Sequence, residues 1–191
     1  MMMRELGLKE GEYTPRDALV RDVARKFREK DVAPWMAVDK YILGLVSCKT
    51  KKDDEFRKRT SSQIMESGYV NGCTDRALVF LSLIRELSIP ALYVEAFDRG
   101  WLESSPTKTQ QGHVFVEMLV GGEPRVYNPT RGFTRSNRLA IGDRDYVEVS
   151  KGVDFGEVYL LGEDGKYAAE PTNLQSLDRV VKMFKARFEI N

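Results

Sequence analysis

The chain has 191 residues, 42% of them hydrophobic and 31% charged, with a net charge of +1. That length suffices for one large domain with its own core and is short for two. The near balance of charge offers no global attraction to nucleic acid or to an anionic membrane surface, so neither is expected as a partner.

The opening stretch MMMRELGLKEGEYTPRD alternates charges with single apolar residues and lacks the apolar run of a secretory signal. The longest apolar runs, YILGLV and ALVFLSLI, fall far short of the roughly 20 residues that span a bilayer, so a cytoplasmic protein is expected. In that compartment the two cysteines, Cys48 and Cys73, are expected as thiols. Thr14, Pro15 and Asp17 read as an N-cap, a first-position proline and a first-turn acid, which predicts a helix from Thr14 to about Lys30. Pro34 opens a second helix with Trp35, Val38, Ile42, Leu45 and Val46 on one face. The charged segment KTKKDDEFRKRTSSQ reads as solvated helix or loop, and Gly68 as the end of a helix carrying Ile64 and Met65.

From Cys73 the apolar positions Ala77, Phe80, Leu81, Ile84 and Leu87 recur at helical spacing, with Thr74 and Asp75 in the first turn. Pro90 ends that helix, and ALYVEAF alternates as a strand. The polar stretch from Asp98 to Gly112 has the composition of a lid or binding loop. HVFVEMLV, Gly121-Gly122 and PRVYN then read as a hairpin, and GEDG as the turn of another between EVYLL and KYAA. A closing helix is predicted with Thr172 and Gln175 as its capping box. Helices first, strands next and one helix last make an α+β fold. The expectation is one domain over 1–191, divided into a helical part (1–68), a helix-and-sheet part (69–170) and the final helix (171–191).

A cysteine thiol is a good nucleophile only where its thiolate is stabilised, by a helix N-terminus, an imidazolium or both. Cys73 sits at a predicted helix start. The single histidine, His113, lies eight positions before Gly121, and Asn128 lies six after Gly122. An antiparallel hairpin turning at those glycines puts them near each other, so Asn128 can orient the imidazole. Nothing in the spacing brings Cys73 to them.

The blocks NGCTDRALVFLSLIRELSIPALYVEAF and GHVFVEMLVGGEPRVYNPTRGF, within Tyr69 to Phe133, resemble the core motif of the transglutaminase-like superfamily in its single-domain prokaryotic form. The resemblance implies a papain-like fold with Cys73 as nucleophile, His113 as base and acid, and Asn128 as the orienting residue. It also implies cleavage or transfer of an amide acyl group through a Cys thioester, with a protein or peptide amide as substrate. No calcium loop is visible, so neither metal nor cofactor is expected. Hydrolysis is favoured over crosslinking.

Two positions depart from that pattern. Asn128 stands where the family usually has Asp, and Ser88 where it favours Gly, an αL position that costs a serine about 1 kcal/mol. The Cys73 N–H is the expected first oxyanion donor; Trp35, Gln63, Tyr69 and Asn71 are equal candidates for the second. Glu117 reads as a solvent-side strand residue. Trp101 could line an acyl pocket, and Arg131, Arg135 and Arg138 could hold an acidic group. A peptide N-glycanase fits less well, because paired Cys-x-x-Cys motifs are missing. The alternative from another class is a transglutaminase-fold binding or scaffolding domain without turnover. Oligomeric state is not legible.

Overall fold

The computed structural model describes residues 2–29, 32–48, 54–104, 112–133, 138–162 and 164–174. Its helical part holds α1 (Met2–Leu6), α2 (Ala18–Arg28), α3 (Pro34–Gly44) and α4 (Ser61–Ser67), with a short parallel pair, β1 (Val46–Ser47) and β2 (Tyr69–Val70). The central helix α5 (Cys73–Glu86) follows, then β3 (Ala91–Asp98), α6 (Arg99–Leu102), β4 (Gly112–Val120), β5 (Glu123–Asn128) and β6 (Gly132–Phe133). The last described elements are β7 (Ala140–Ile141), β8 (Arg144–Asp154) and β9 (Glu157–Leu160). The predicted C-terminal helix, with Gln175 of its capping box, lies outside the described residues. Thr172 exchanges backbone hydrogen bonds with Val158. No helix among the described residues is long and apolar enough to cross a membrane.

The sheet is antiparallel, in the order β6-β5-β4-β3-β8-β7, with β9 pairing β8 beside β7. Alternation along the strands separates two faces. Tyr93, Phe97, Val114, Val116, Met118 and Tyr127 join the main core under α5. Val94, Ala96, Phe115 and Val126 form a smaller cluster on the other face, covered by Leu139, Ile141 and Tyr146.

Helix α5 differs from the one-faced helix its pattern predicts: every residue from Thr74 to Arg85 is buried. The sheet covers one side, and α2, α3 and α4 cover the other. A helix enclosed on all sides buries polar groups only where they are bonded. Arg85 donates to the carbonyls of Gly7, Ala91 and Val153 and to Thr14 Oγ1 at 2.7–3.2 Å, and burial pulls its pKa down to about 10. Arg76 reaches the carbonyls of Ile42 and Leu45 at the end of α3, where cations suit the dipole.

Several predicted boundaries shift for local reasons. Helix α2 starts four residues after Thr14, because Asp17 caps it by accepting from the Val20 N–H, while Thr14 is buried against Arg85 and Asp154. Val46 is not on the apolar face of α3; it is 66% exposed in β1. Gly68 ends α4 in the left-handed conformation as expected, and Thr60 with Gln63 forms a capping box at its start. Ser88 adopts φ 62°, the αL position read from the sequence. The expected KYAA strand is reduced to a bridge between Leu161 and Tyr167.

Candidate active site

Cys73 is the first residue of α5, and the chain arrives there through Gly72 at φ 130°, a conformation that residues with a Cβ rarely take. Asp75 fixes this approach, accepting the Asn71 N–H at 2.8 Å and pairing with Arg59. The half-buried thiol packs against the main core. Hydrogen bonds from the Val114 and Thr74 N–H groups favour its thiolate, and so does the charge of Arg57. Burial outweighs them, with Glu95 adding to it, and pushes the thiol above its ordinary 9.0. The helix-start position therefore does not by itself deliver the lowered pKa expected from the sequence.

His113 lies near the start of β4 and is 8% exposed. Its Nε2 is 3.0 Å from Asn128 Oδ1, so the hairpin brings together the two residues whose spacing suggested it. The same oxygen accepts the Thr130 N–H at 3.0 Å and the Thr130 hydroxyl at 2.8 Å. Because a backbone N–H can only donate, the atom facing it must be the amide oxygen, and Nε2 must then carry the proton. The neutral ring thus has Nδ1 as its free lone pair. Burial pulls His113 below its ordinary 6.5, partly offset by the bond to Asn128. Phe115 meets the ring edge-on at 4.8 Å, and Tyr146 lies at 5.8 Å.

By strand alternation His113 and Asn128 belong to the sheet face opposite α5, whereas Cys73 comes from the α5 side. They meet at the sheet margin. Cys73 and His113 line one open cavity of about 600 Å³ together with Thr130, Arg131, Ile141, Gly142, Asp143, Arg144 and Tyr146. No hydrogen bond joins thiol to ring among the described residues. Burial thus acts on both groups of this cavity in the direction of a neutral thiol and a neutral ring.

None of the four candidate second oxyanion donors lines that cavity. Trp35 packs edge-on to Phe133 at 4.6 Å, Gln63 closes the α4 capping box, Tyr69 donates to Glu55, and the Asn71 N–H goes to Asp75. Glu117 is engaged rather than free in solvent, accepting Lys151 at 2.7 Å. Trp101 is buried against Phe97 and touches a neighbouring cavity, not that of Cys73. Arg131 lines the Cys73 cavity, Arg138 does not, and Arg135 lies outside the described residues.

Two features near the thiol escape a sequence reading. Arg57, inside the segment read as solvated, is 2% exposed and pairs with Glu95 at 2.7 Å, and Glu95 also accepts the Tyr93 hydroxyl. Only the strict inward alternation of Tyr93, Glu95 and Phe97 could have signalled that Glu95 needs a buried cation. The other is strand β8, which supplies the cavity residues Arg144 and Tyr146 and whose only sequence signal is the short alternation of YVEV.

No known family model and no curated protein matches this sequence. Among solved structures, one titled a "putative cysteine protease" from Cytophaga hutchinsonii is similar in fold, with a TM-score of 0.58 and 18% identity. The match covers 87% of this chain and 52% of that one, so this chain spans about half the length of its structural neighbour. The fold is therefore of a kind found in a cysteine-protease-like structure, mixed helix and antiparallel sheet.

Proposed function

We propose that this protein is a cysteine enzyme with a papain-like, transglutaminase-like core that cleaves or transfers the acyl group of a protein or peptide amide, hydrolysis being favoured. The observation that carries the reading is the cavity shared by Cys73 and a His113 ring whose tautomer Asn128 fixes. His113 Nδ1 takes the thiol proton as sulfur attacks the amide carbonyl. The Cys73 N–H, at a helix start where backbone donors lack intrahelical partners, faces the developing oxyanion. The protonated ring then gives its proton to the departing amine, leaving a thioester on Cys73. Water, deprotonated by the same nitrogen, releases the acid and restores the thiol.

The neutral resting pair sets a distinctive test. Iodoacetamide labelling should rise through a pKa below 6.5, hold a plateau, and rise again above 9, because the plateau reflects the minor thiolate-imidazolium form of the coupled pair. His113→Ala should remove the plateau. Incubation with a peptide-amide library should leave a hydroxylamine-labile mass on wild type and none on Cys73→Ser. A single rise near 9 that ignores His113, with no acyl adduct, would sink the reading. That outcome would favour the silent binding-domain alternative, whose specific support is the burial that pushes Cys73 up and His113 down.

A further inference from the structure

We infer that Arg131 makes the Cys73 cavity selective for acyl groups that carry a carboxylate close to the scissile carbonyl, an inference that rests on the proposed acyl chemistry. The charged residues lining the cavity are Arg131, Arg144 and Asp143, which leaves an excess of one positive charge. Arg144 hydrogen-bonds Tyr146. Arg131 is exposed and has no acidic partner among the described residues. Its guanidinium is thus the cavity's available anion-binding group, and its fork matches a carboxylate.

Its backbone is held by the same residue that holds His113. The Arg131 N–H donates to the Asn128 carbonyl at 3.1 Å, while Asn128 Oδ1 takes both donors of Thr130. The tight turn closes at once, with Asn128 paired to Gly132 at φ 87°. Asn128 therefore sets both the imidazole and the place from which Arg131 departs. The adjoining cavity of about 460 Å³ shares Asp143 and Arg144 but adds Asp98, Glu103 and Asp145. Three further carboxylates against one further arginine, Arg99, make it hostile to an anion, so a carboxylate is directed to the Arg131 side.

The experiment compares two alkylating probes of nearly equal size, neutral iodoacetamide and anionic iodoacetate, on Cys73 at pH 7.5. The iodoacetate-to-iodoacetamide rate ratio should fall about three- to tenfold in Arg131→Gln, the range of one partly screened charge contact, and the ratio cancels any change in thiolate fraction that both probes share. Arg131→Lys should keep most of the ratio, and 0.5 M salt should lower it in wild type. A Cys73 that shows the pH plateau but a ratio indifferent to Arg131 overturns this inference alone. A Cys73 without the plateau overturns the acyl reading beneath it, and the two failures are read from different measurements.

Discussion

Asn128→Asp exchanges the neutral acceptor on His113 for a charged one without changing shape. In the wild type Nε2 lies 3.0 Å from the amide oxygen, and burial holds the ring below 6.5. A carboxylate spreads its charge over two oxygens, so the mean separation is about 4 Å, and at an effective dielectric near 20 the attraction for an imidazolium is about 4 kcal/mol. Desolvating the new charge returns about half, although both Thr130 donors remain to receive it. The remainder, about 2 kcal/mol, raises the His113 pKa by roughly 1–2 units. His113 is the only histidine, so one imidazole resonance in a proton-carbon NMR titration reports it directly. The acid limb of iodoacetamide labelling should move up by the same amount. The lowered wild-type pKa means that stability falls as pH drops below 6.5; the upward shift in the variant makes that loss smaller, and reverses it if the ring is carried above 6.5. A His113 resonance that titrates at the same pH in both proteins would refute the pairing.

Three further expectations concern buried charges and backbone conformation along and beyond α5. Arg57→Met leaves Glu95 buried and uncompensated, which should cost about 3–5 kcal/mol in urea unfolding. It should also raise the upper labelling limb of Cys73, whereas Glu95→Gln should lower that limb, since the two charges act on the thiol in opposite directions. Ser88→Gly relieves a residue at φ 62° and should raise stability by about 0.5–1 kcal/mol, seen as a higher urea midpoint at unchanged slope. Arg85→Met strands the carbonyls of Gly7, Ala91 and Val153 in the core and should cost about 3–5 kcal/mol, with Arg85→Lys failing to restore it because an ammonium lacks the planar fork.

What could be read in advance was local. Gly72, Cys73 and Asp75 announce a helix start within four residues, and counting outward from Gly121-Gly122 predicted that His113 and Asn128 would meet. The ladder pairs Val116 with Tyr127, so Asn128 stands opposite Phe115 and His113 two places further along the same face. The reading survives that offset because diagonal neighbours on one face remain within reach of a ring and an amide. What stayed hidden depends on partners far along the chain. Arg57 looked solvated because its charge partner is 38 residues away on a strand whose inward face is otherwise apolar. The direction of the thiol's shift is hidden for the same reason: the helix terminus is visible in sequence, but the burial that outweighs it, and the charges of Glu95 and Arg57 that act on it, come from distant parts of the chain.

That enclosure also gives Asn128 a physical rationale where the resembled pattern prefers Asp. In the proposed reaction His113 acts as a base, which must be unprotonated at working pH, and burial shifts its pKa in that direction. A carboxylate in its place would raise the ring's pKa and shrink the fraction of molecules that keep the free Nδ1 lone pair. A ring already charged cannot accept the thiol proton, so the variant would rely on its charge drawing Cys73 toward the thiolate, against the burial that pushes that thiol up. A neutral acceptor, fixed in orientation by the Thr130 N–H, orients the ring without adding a charge that would protonate it, as the proposed reaction requires. Asn at 128 and the desolvated neutral pair are thus mutually consistent, and changing one without the other should carry the site away from its working protonation state.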